Sequence, residues 1–166
     1  IAHGNGHDYR WYDFVQQHLA SHGYVVMSHQ NDTIPGIEAA SDSMLRHADA
    51  FLGGFASFVP ALAGRVDTSR VMWIGHSRGG EGVVRATSKI VDGVYVPQNY
   101  SLDDFRSTSS IAPTVWRATL SQIHDQTYHL LFGAADGDVS GAPHRDDRQS
   151  FQLYERGTGI KQVTYV

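Results

Sequence analysis

A glycine-flanked serine joins an apolar segment to a helix-compatible segment near the middle of the chain. Residues 71–74 form a short continuous apolar run, which is typical of a parallel strand buried on both faces. Residues 75–79 follow directly and read Gly-His-Ser-Arg-Gly. Glycines two positions either side of a serine allow a strand and a helix to approach closely through a sharp turn. The sequence therefore predicts a strand, a tight turn at Ser77 and a helix.

Such a turn has a chemical consequence for its serine. It holds the hydroxyl above the edge of the sheet, at the positive end of the next helix, which is the position of a nucleophile. The pattern alone also occurs in ordinary strand-turn-helix junctions. The polar residues 67–70 before the strand, and Val83, Val84 and Ala86 on the helix face that can meet the sheet, favour the nucleophile interpretation.

Composition limits the classes of protein to consider. The chain has 166 residues, of which 41% are hydrophobic and 18% charged, so it can bury a core and is predicted to form a single domain over residues 1–166. A net charge of -4 gives no electrostatic footprint for nucleic acid. No apolar stretch approaches the roughly 20 residues of a membrane span. The chain has no cysteine, which excludes thiol catalysis and thiolate metal sites, while compartment and oligomeric state stay open.

Strand-like and helix-like segments alternate along the chain, as in an α/β sheet with crossover helices. The apolar runs predict strands at residues 1–2, 24–28, 71–74, 105–112, 128–132 and 163–166. Helical spacing predicts a first helix that includes Trp11 and Leu19 and ends near Gly23. It also predicts a second helix capped by Ser41 or Asp42 and ending near Pro60, the helix after Ser77, and a last one at residues 151–154.

Two further turns lie where an acyl-transfer site would need them. Residues 3–6 read His-Gly-Asn-Gly and leave the first strand, so the amide of Asn5 can point at an oxygen that becomes charged. Together with the amide of Arg78 it would form an oxyanion hole, in which one donor is typically worth about 10²–10³ in rate. The alternative is that these glycines only make a tight turn.

A second candidate group follows the apolar strand at residues 128–132. Asp136 lies three residues after Gly133, where its carboxylate could hold a histidine in the tautomer that accepts the serine proton. Asp138 is the second choice. An Asx-type turn is the alternative, and a calcium loop is disfavoured because no series of ligands follows.

These motifs together resemble the α/β-hydrolase superfamily, near its esterase, lipase, cutinase and dienelactone-hydrolase branches. The resemblance implies a three-layer α/β/α sandwich with a mostly parallel sheet, which this chain would form in part. It also implies Ser77 as nucleophile, Asp136 as acid and the amides of Asn5 and Arg78 as oxyanion hole. It implies no cofactor and no metal.

The resemblance also implies a catalytic histidine in a place that this sequence does not reach. In the family the histidine follows the next strand, and the strand predicted at 163–166 ends the sequence. We therefore expect a fragment whose histidine lies beyond Val166 and whose first strands precede Ile1. His144, His76 and His3 are poor substitutes by position, and the i,i+4 pair His18 and His22 is more typical of a solvent-facing surface than of a metal site.

The substrate is the least specified part of the sequence interpretation. Aromatic residues that could line the entrance of the site are Tyr9, Trp11, Tyr12 and Trp116. The short connection between residues 113 and 128 leaves no room for a large lid, which favours a carboxylesterase acting on small-molecule or polymeric esters. Thioesterase, peptidase and acyltransferase activities use the same groups, and a non-catalytic binding module is the alternative. Arg78 is expected to form helix-face ion pairs with Glu81 and Arg85, or else to select an acidic substrate.

Overall fold

The computed structural model describes residues 1–139 and 150–166. Its α-helices are α1 (Asp13–Ser21), α2 (Ile37–Phe58), α3 (Arg78–Val91) and α4 (Ser150–Arg156). Its strands are β1 (Val71–His76), β2 (Phe105–Ile111), β3 (Tyr128–Phe132) and β4 (Lys161–Tyr165). Short 3₁₀ helices occur at Tyr9–Tyr12, Pro60–Leu62 and Leu102–Asp104. In this part of the chain no helix is both long enough and apolar enough to cross a membrane.

The strands form a parallel sheet in the order β1-β2-β3-β4. Beyond β1 the sheet continues through Ala2, which pairs in parallel with Gly75 on one side and with His29 on the other. Since all these strands run in the same direction, their carboxyl ends lie at one edge of the sheet. Ser77, Pro113 and Gly133 follow the ends of β1, β2 and β3, and this edge therefore holds the candidate site.

Helices α2, α3 and α4 cover one face of the sheet. The buried strand residues alternate as a period of two requires, and Trp73, Thr108 and Tyr128 stand in register on the covered face. Thr108 bonds Thr87 of α3 across this interface, at 3.0 Å between hydroxyl oxygens. Helix α1 lines a hollow together with residues of α2 and β1, and the parallel sheet with helices packed against it confirms the expected α/β fold.

Two buried clusters form the core on the covered face. Trp73 packs edge-on against Phe105, with ring centroids 4.6 Å apart, and this cluster extends to Met44 and Leu45 of α2. The other cluster joins Val84 of α3 to the following residues of the loops, β3 and α4: Ala112, Val115, Ile123, Tyr128, Leu130, Phe132, Val139 and Leu153. Helix α3 contributes to both clusters, so the burial of its apolar residues fixes the helix that begins just after Ser77.

Helices α2 and α3 are also joined by ion pairs. Lys89 Nζ lies 3.0 Å from Glu38 and 2.6 Å from Asp42, and Arg85 Nε lies 2.8 Å from Glu38. The cations are nearly buried, whereas the carboxylates keep about half of their exposure, so the pairs are stronger than fully exposed ones. They hold the start of α2 against the middle of α3.

Some sequence-based boundaries are wrong. Residues 24–28 form no strand; this segment meets the neighbouring backbone where the Ile1 amino group donates to the Met27 carbonyl and His29 N–H donates to the Ile1 carbonyl. Helix α2 begins at Ile37 and not at Ser41 or Asp42, because buried Ile37 and Ala40 extend its apolar face toward the amino end. Strand β4 begins two residues before Val163.

Candidate active site

Ser77 lies in a strained turn between β1 and α3. Its φ of 53° and ψ of -121° are unfavourable for a residue with a side chain. Its N–H donates to the Ile111 carbonyl at 3.0 Å, and its carbonyl accepts from the N–H groups of Glu81 and Thr114 at 3.2 Å each. Within residues 1–139 and 150–166 the hydroxyl has no hydrogen-bond partner. The backbone thus holds Ser77 from three sides and leaves Oγ available for a substrate.

The turn that carries Asn5 packs directly against Ser77. A Cβ atom placed on Gly4 would lie 3.0 Å from the Ser77 Cβ and 3.1 Å from His76 Nδ1, so only glycine fits without displacement. Asn5 follows this contact, and Arg78 is the first residue of α3, whose backbone N–H has no acceptor within its own helix. The two amides predicted for an oxyanion hole therefore belong to neighbouring backbone segments on either side of the serine.

Buried His3 holds this turn in place. Its Nε2 accepts from the Asn31 N–H at 2.8 Å, so in the neutral ring Nδ1 carries the proton and donates to the Gly4 carbonyl at 2.7 Å. The Asn31 side chain returns a bond to the His3 carbonyl at 3.1 Å. The ring therefore serves the loop, as its position in the sequence indicates.

A tyrosine joins the same turn to the residue before the serine. The Tyr12 hydroxyl lies 2.8 Å from His76 Nδ1 and 2.9 Å from His7 Nδ1, and it accepts a weaker bond from the Gly4 N–H at 3.3 Å. One hydroxyl proton can satisfy only one of these rings, so the other must donate from Nδ1. Tyr12 is therefore not part of the substrate entrance, because it is buried and its hydroxyl is fully used.

Burial and several neighbouring charged or titratable groups shift the pKa of His76. Burial lowers it, the neighbouring His7 lowers it further, and the charges of Asp136 and Asp138 partly oppose these effects. The charges of the two carboxylates in the loop after β3 therefore act on the residue that precedes Ser77.

Asp136 forms the turn that the sequence offered as an alternative to a catalytic role. Its Oδ1 accepts from the N–H groups of Asp138 and Val139 at 2.8 and 2.9 Å. In the described ranges its Oδ2 has no partner, so an imidazole could donate to that oxygen while the Asx turn fixes the side chain. Asp138 is more exposed, which favours Asp136 as the acid.

No histidine of the described ranges contacts the Ser77 hydroxyl. His144 falls in residues 140–149, outside the described part of the chain. His18 on α1 and His22 just after it are exposed, with ring centroids 4.6 Å apart, and His22 Nδ1 bonds the His18 carbonyl. Across residues 1–139 and 150–166 no group of three metal-ligating side chains occurs. The general base predicted after β4 is thus neither replaced nor tested.

Glu81 has a role that the sequence analysis missed. Expected on a helix face with Arg78 and Arg85, it is instead fully buried and forms no ion pair in the described residues. Its Oε2 accepts from the Thr114 hydroxyl at 3.0 Å and the Trp116 N–H at 2.7 Å. Its Oε1 accepts from the Arg117 N–H at 2.6 Å and the Ser121 hydroxyl at 3.1 Å.

These contacts make Glu81 the anchor of the segment after β2. Burial raises the pKa of its carboxyl, and the four donors partly offset that effect. The sequence does contain a signal for this, because Glu81 lies between Gly80 and Gly82, and glycines inside a helix indicate close packing on that face. Gly82 indeed lies against Ala40 of α2.

The expected ion pairs of Arg78 and Arg85 are also wrong. Arg85 pairs with Glu38 across the helix interface, since Glu81 points the other way into the core. Arg78 Nη1 donates to Asn5 Oδ1 at 2.9 Å and to the Thr33 carbonyl at 3.2 Å. The side chains of the two residues proposed for the oxyanion hole therefore contact each other.

Aromatic residues stand beside this group. Trp116 is 52% exposed, and the Arg78 guanidinium lies 5.9 Å from its ring centroid. Trp11 is 61% exposed and packs on His7. An apolar hollow of about 450 Å³ elsewhere is lined by α1, α2 and β1, and Ser77, Asn5 and Asp136 are not among its lining residues.

Solved structures with this fold are ester-processing proteins of low sequence identity. A lipase/esterase from Lactobacillus plantarum matches with a TM-score of 0.67 and 14% identity, over 100% of this chain and 77% of that one. A protein assigned as a carboxylesterase from the same species matches with a TM-score of 0.64 and 12% identity, over 98% and 73%. The Bacillus cereus carboxylesterase gives 0.53 and 15%, over 99% and 76%.

The fold is the only property that these similarities establish. No protein-family model matches the sequence, and no curated protein matches it. The chain therefore has the α/β-hydrolase fold of these esterases, as its motifs imply. The roles of individual residues remain predictions.

Proposed function

We propose that this chain carries the nucleophile of a serine hydrolase that cleaves carboxylic esters through an acyl-enzyme on Ser77. The observation that carries the proposal is the strained backbone of Ser77, with φ 53°. Strain at a non-glycine residue persists only where the surroundings over-determine it, and it occurs preferentially at functional sites. The turn presents a hydroxyl without a hydrogen-bond partner among the described residues, at the carboxyl edge of the sheet, in a fold found among esterases.

In the proposed reaction Ser77 Oγ attacks the ester carbonyl carbon, and a histidine takes the hydroxyl proton. The developing oxyanion accepts hydrogen bonds from the N–H groups of Asn5 and Arg78. The C–O bond to the alcohol then breaks, and the histidine returns the proton to that oxygen. Water next attacks the acyl-enzyme carbonyl and gives its proton to the histidine. The bond to Ser77 Oγ breaks, the histidine returns the proton to Oγ, and the acid is released. Asp136 would orient the histidine through its unbonded Oδ2.

The proposal requires a histidine that the described residues do not supply. A serine without a base to accept its proton is a poor nucleophile. We keep the expectation that this histidine follows β4, because the parallel order places the end of β4 beside the end of β3 and hence beside Asp136. The experiment therefore uses the full-length natural polypeptide that contains this chain.

Kinetics of variants test the proposal. Hydrolysis of p-nitrophenyl butyrate should fall about 10⁴-fold or more in Ser77→Ala, and about 10²–10⁴-fold in Asp136→Asn. Ser57→Ala serves as control, because that exposed serine bonds only the Gly54 carbonyl on α2. Equal rates in Ser77→Ala and the wild type, in proteins with the same circular dichroism spectrum, would refute the proposal.

A further inference from the structure

Among residues 1–139 and 150–166, the groups that hold Arg78 beside the candidate nucleophile are neutral. Its Nη1 donates to an amide oxygen, Asn5 Oδ1, and to a backbone carbonyl, that of Thr33. Its guanidinium lies 5.9 Å from the centroid of the Trp116 ring. These contacts fix the position of the cation, and no residue of the described ranges supplies a compensating anion.

The positive charge of the partly buried Arg78 side chain has no counter-charge among the described residues. Within residues 1–139 and 150–166 no carboxylate lies within 4.0 Å of the Arg78 side chain, whereas Arg85 on the same helix pairs with Glu38 at 2.8 Å. Removing a cation from water costs free energy unless an opposite charge or hydrogen bonds replace the solvent. A cation positioned in this way next to a candidate nucleophile is suited to a ligand that brings the counter-charge.

The unused donors of Arg78 define the chemistry of that ligand. A guanidinium has five N–H donors in one plane, and the two on Nη1 are used by the two neutral acceptors. The donors on Nε and Nη2 have no acceptor among the described residues. They form the planar fork that binds a carboxylate through two parallel hydrogen bonds, which a lysine ammonium cannot reproduce.

The position of Arg78 in the chain brings its side chain close to the candidate nucleophile. Arg78 follows Ser77 directly, and its side chain contacts that of Asn5, whose backbone N–H is proposed to hold the oxyanion. One small substrate could thus place its carboxylate on the fork and its scissile carbonyl at Ser77. The exposed ring of Trp116 would flank the carbon chain between the two groups.

We infer that Arg78 selects esters that carry a free carboxylate a few bonds from the ester group, as in half-esters of dicarboxylic acids. The inference rests on the proposed function, because it names the substrate class of the same site. The contact with Asn5 gives Arg78 a second effect on the rate, since it also holds the oxyanion turn. The test must therefore separate charge recognition from support of the turn.

Matched pairs of esters make that separation. Monomethyl glutarate and methyl valerate have the same chain length on the acyl side and differ in the terminal carboxylate. The acetate ester of 4-hydroxybutyrate and butyl acetate form the corresponding pair on the alcohol side. In full-length Arg78→Gln, the ratio of kcat/KM for the anionic to the neutral ester should fall about 10- to 100-fold in one pair. Loss of support for Asn5 affects both esters of a pair and cancels in this ratio.

Two further variants sharpen the readout. Arg78→Lys keeps the charge and loses the fork, so its ratio should lie between those of the wild type and Arg78→Gln. Arg70→Gln is the matched control, because that exposed arginine pairs with Asp67 at the other end of β1 and its ratio should equal that of the wild type. The anionic preference of the wild type should also weaken as salt is added.

The outcomes distinguish the inference from the function on which it rests. If Arg78→Gln hydrolyses both pairs with the wild-type ratios, the inference is wrong and Arg78 only supports the Asn5 turn. If the folded wild type hydrolyses none of these esters and a fluorophosphonate leaves Ser77 unmodified, the proposed function fails and the inference fails with it.

Discussion

Two glycine-containing turns at the same edge of the sheet are specified in different ways. A Cβ atom on Gly75 would lie 2.2 Å from the Gly79 carbonyl oxygen, and one on Gly79 would lie 2.4 Å from the Ala2 carbonyl oxygen. A Cβ atom on Gly133 or Gly137, in the loop that carries Asp136, would meet no atom of the described residues within 4 Å. The serine turn is therefore fixed by steric exclusion, whereas the acid loop is fixed by hydrogen bonds to the Asp136 carboxylate.

This difference predicts which substitutions the molecule tolerates. Gly75→Ala should lower the free energy of unfolding by at least about 3 kcal/mol, because the methyl group meets rigid backbone that cannot rotate away. Gly133→Ala should change it by no more than about 0.5 kcal/mol, because its surroundings are open. Urea denaturation followed by circular dichroism measures both values. Equal effects of the two substitutions would show that the serine turn is not fixed by close packing.

Removal of a carboxylate should likewise cost more stability beside the serine turn than in the acid loop. Glu81→Ala leaves four buried donors without an acceptor and should cost about 2–4 kcal/mol of stability. Asp136→Ala removes the acceptor of two backbone N–H groups near the surface and should cost about 1 kcal/mol. Thermal denaturation of both variants measures this difference.

Glu81→Gln is the control for this second comparison. The amide keeps the volume of the side chain and one acceptor oxygen, so its cost should lie between those of the wild type and Glu81→Ala. A Glu81→Ala variant as stable as Asp136→Ala would mean that the segment after β2 does not depend on this carboxylate.

Strain at Ser77 should be measurable as a gain in stability. Glycine adopts φ 53° and ψ -121° at lower cost, so Ser77→Gly should raise the free energy of unfolding by about 0.5–1 kcal/mol, after the larger unfolded-state entropy of glycine is subtracted. Ser77→Ala retains the Cβ atom and should show no such gain. Destabilisation by Ser77→Gly would contradict a strained turn.

The smallest expected effect reports whether the two regions face each other. The negative charges of Asp136 and Asp138 favour the protonated form of His76, so replacing either with asparagine should lower the pKa of His76. NMR titration of the ring proton measures this change. Asp103→Asn is the control, because that exposed residue lies before the amino end of β2, at the opposite edge. An unchanged titration in the Asp136 and Asp138 variants would place the acid loop away from β1.

Sequence patterns correctly predicted the features that depend on residues close together in the chain. The strand, turn and helix around Ser77 follow from apolar periodicity and glycine spacing, which are local properties. The burial of Glu81 did not follow, because its four donors come from a segment more than thirty residues later. The helix-face rule assigned it to Arg78 and Arg85 for lack of that tertiary information.

The boundaries that the sequence missed have similar causes. Residues 24–28 have strand-like composition, but a strand also requires a partner, and the adjacent backbone supplies one ladder position at His29. Tyr12 was predicted to line the entrance of the site because aromatic residues often line binding sites. Its contact with His76 depends on a separation of 64 residues along the chain, which no local pattern reveals.

Labelling with a fluorophosphonate probe tests the central claim most directly, because the reagent modifies only a serine that is activated as a nucleophile. The full-length natural polypeptide would be treated with the probe and the adduct located by peptide mass spectrometry, with Ser77→Ala as control. We predict one adduct on Ser77 that is absent from the variant. A folded full-length protein with no adduct on Ser77 would contradict the account and leave a binding module with a hydrolase fold.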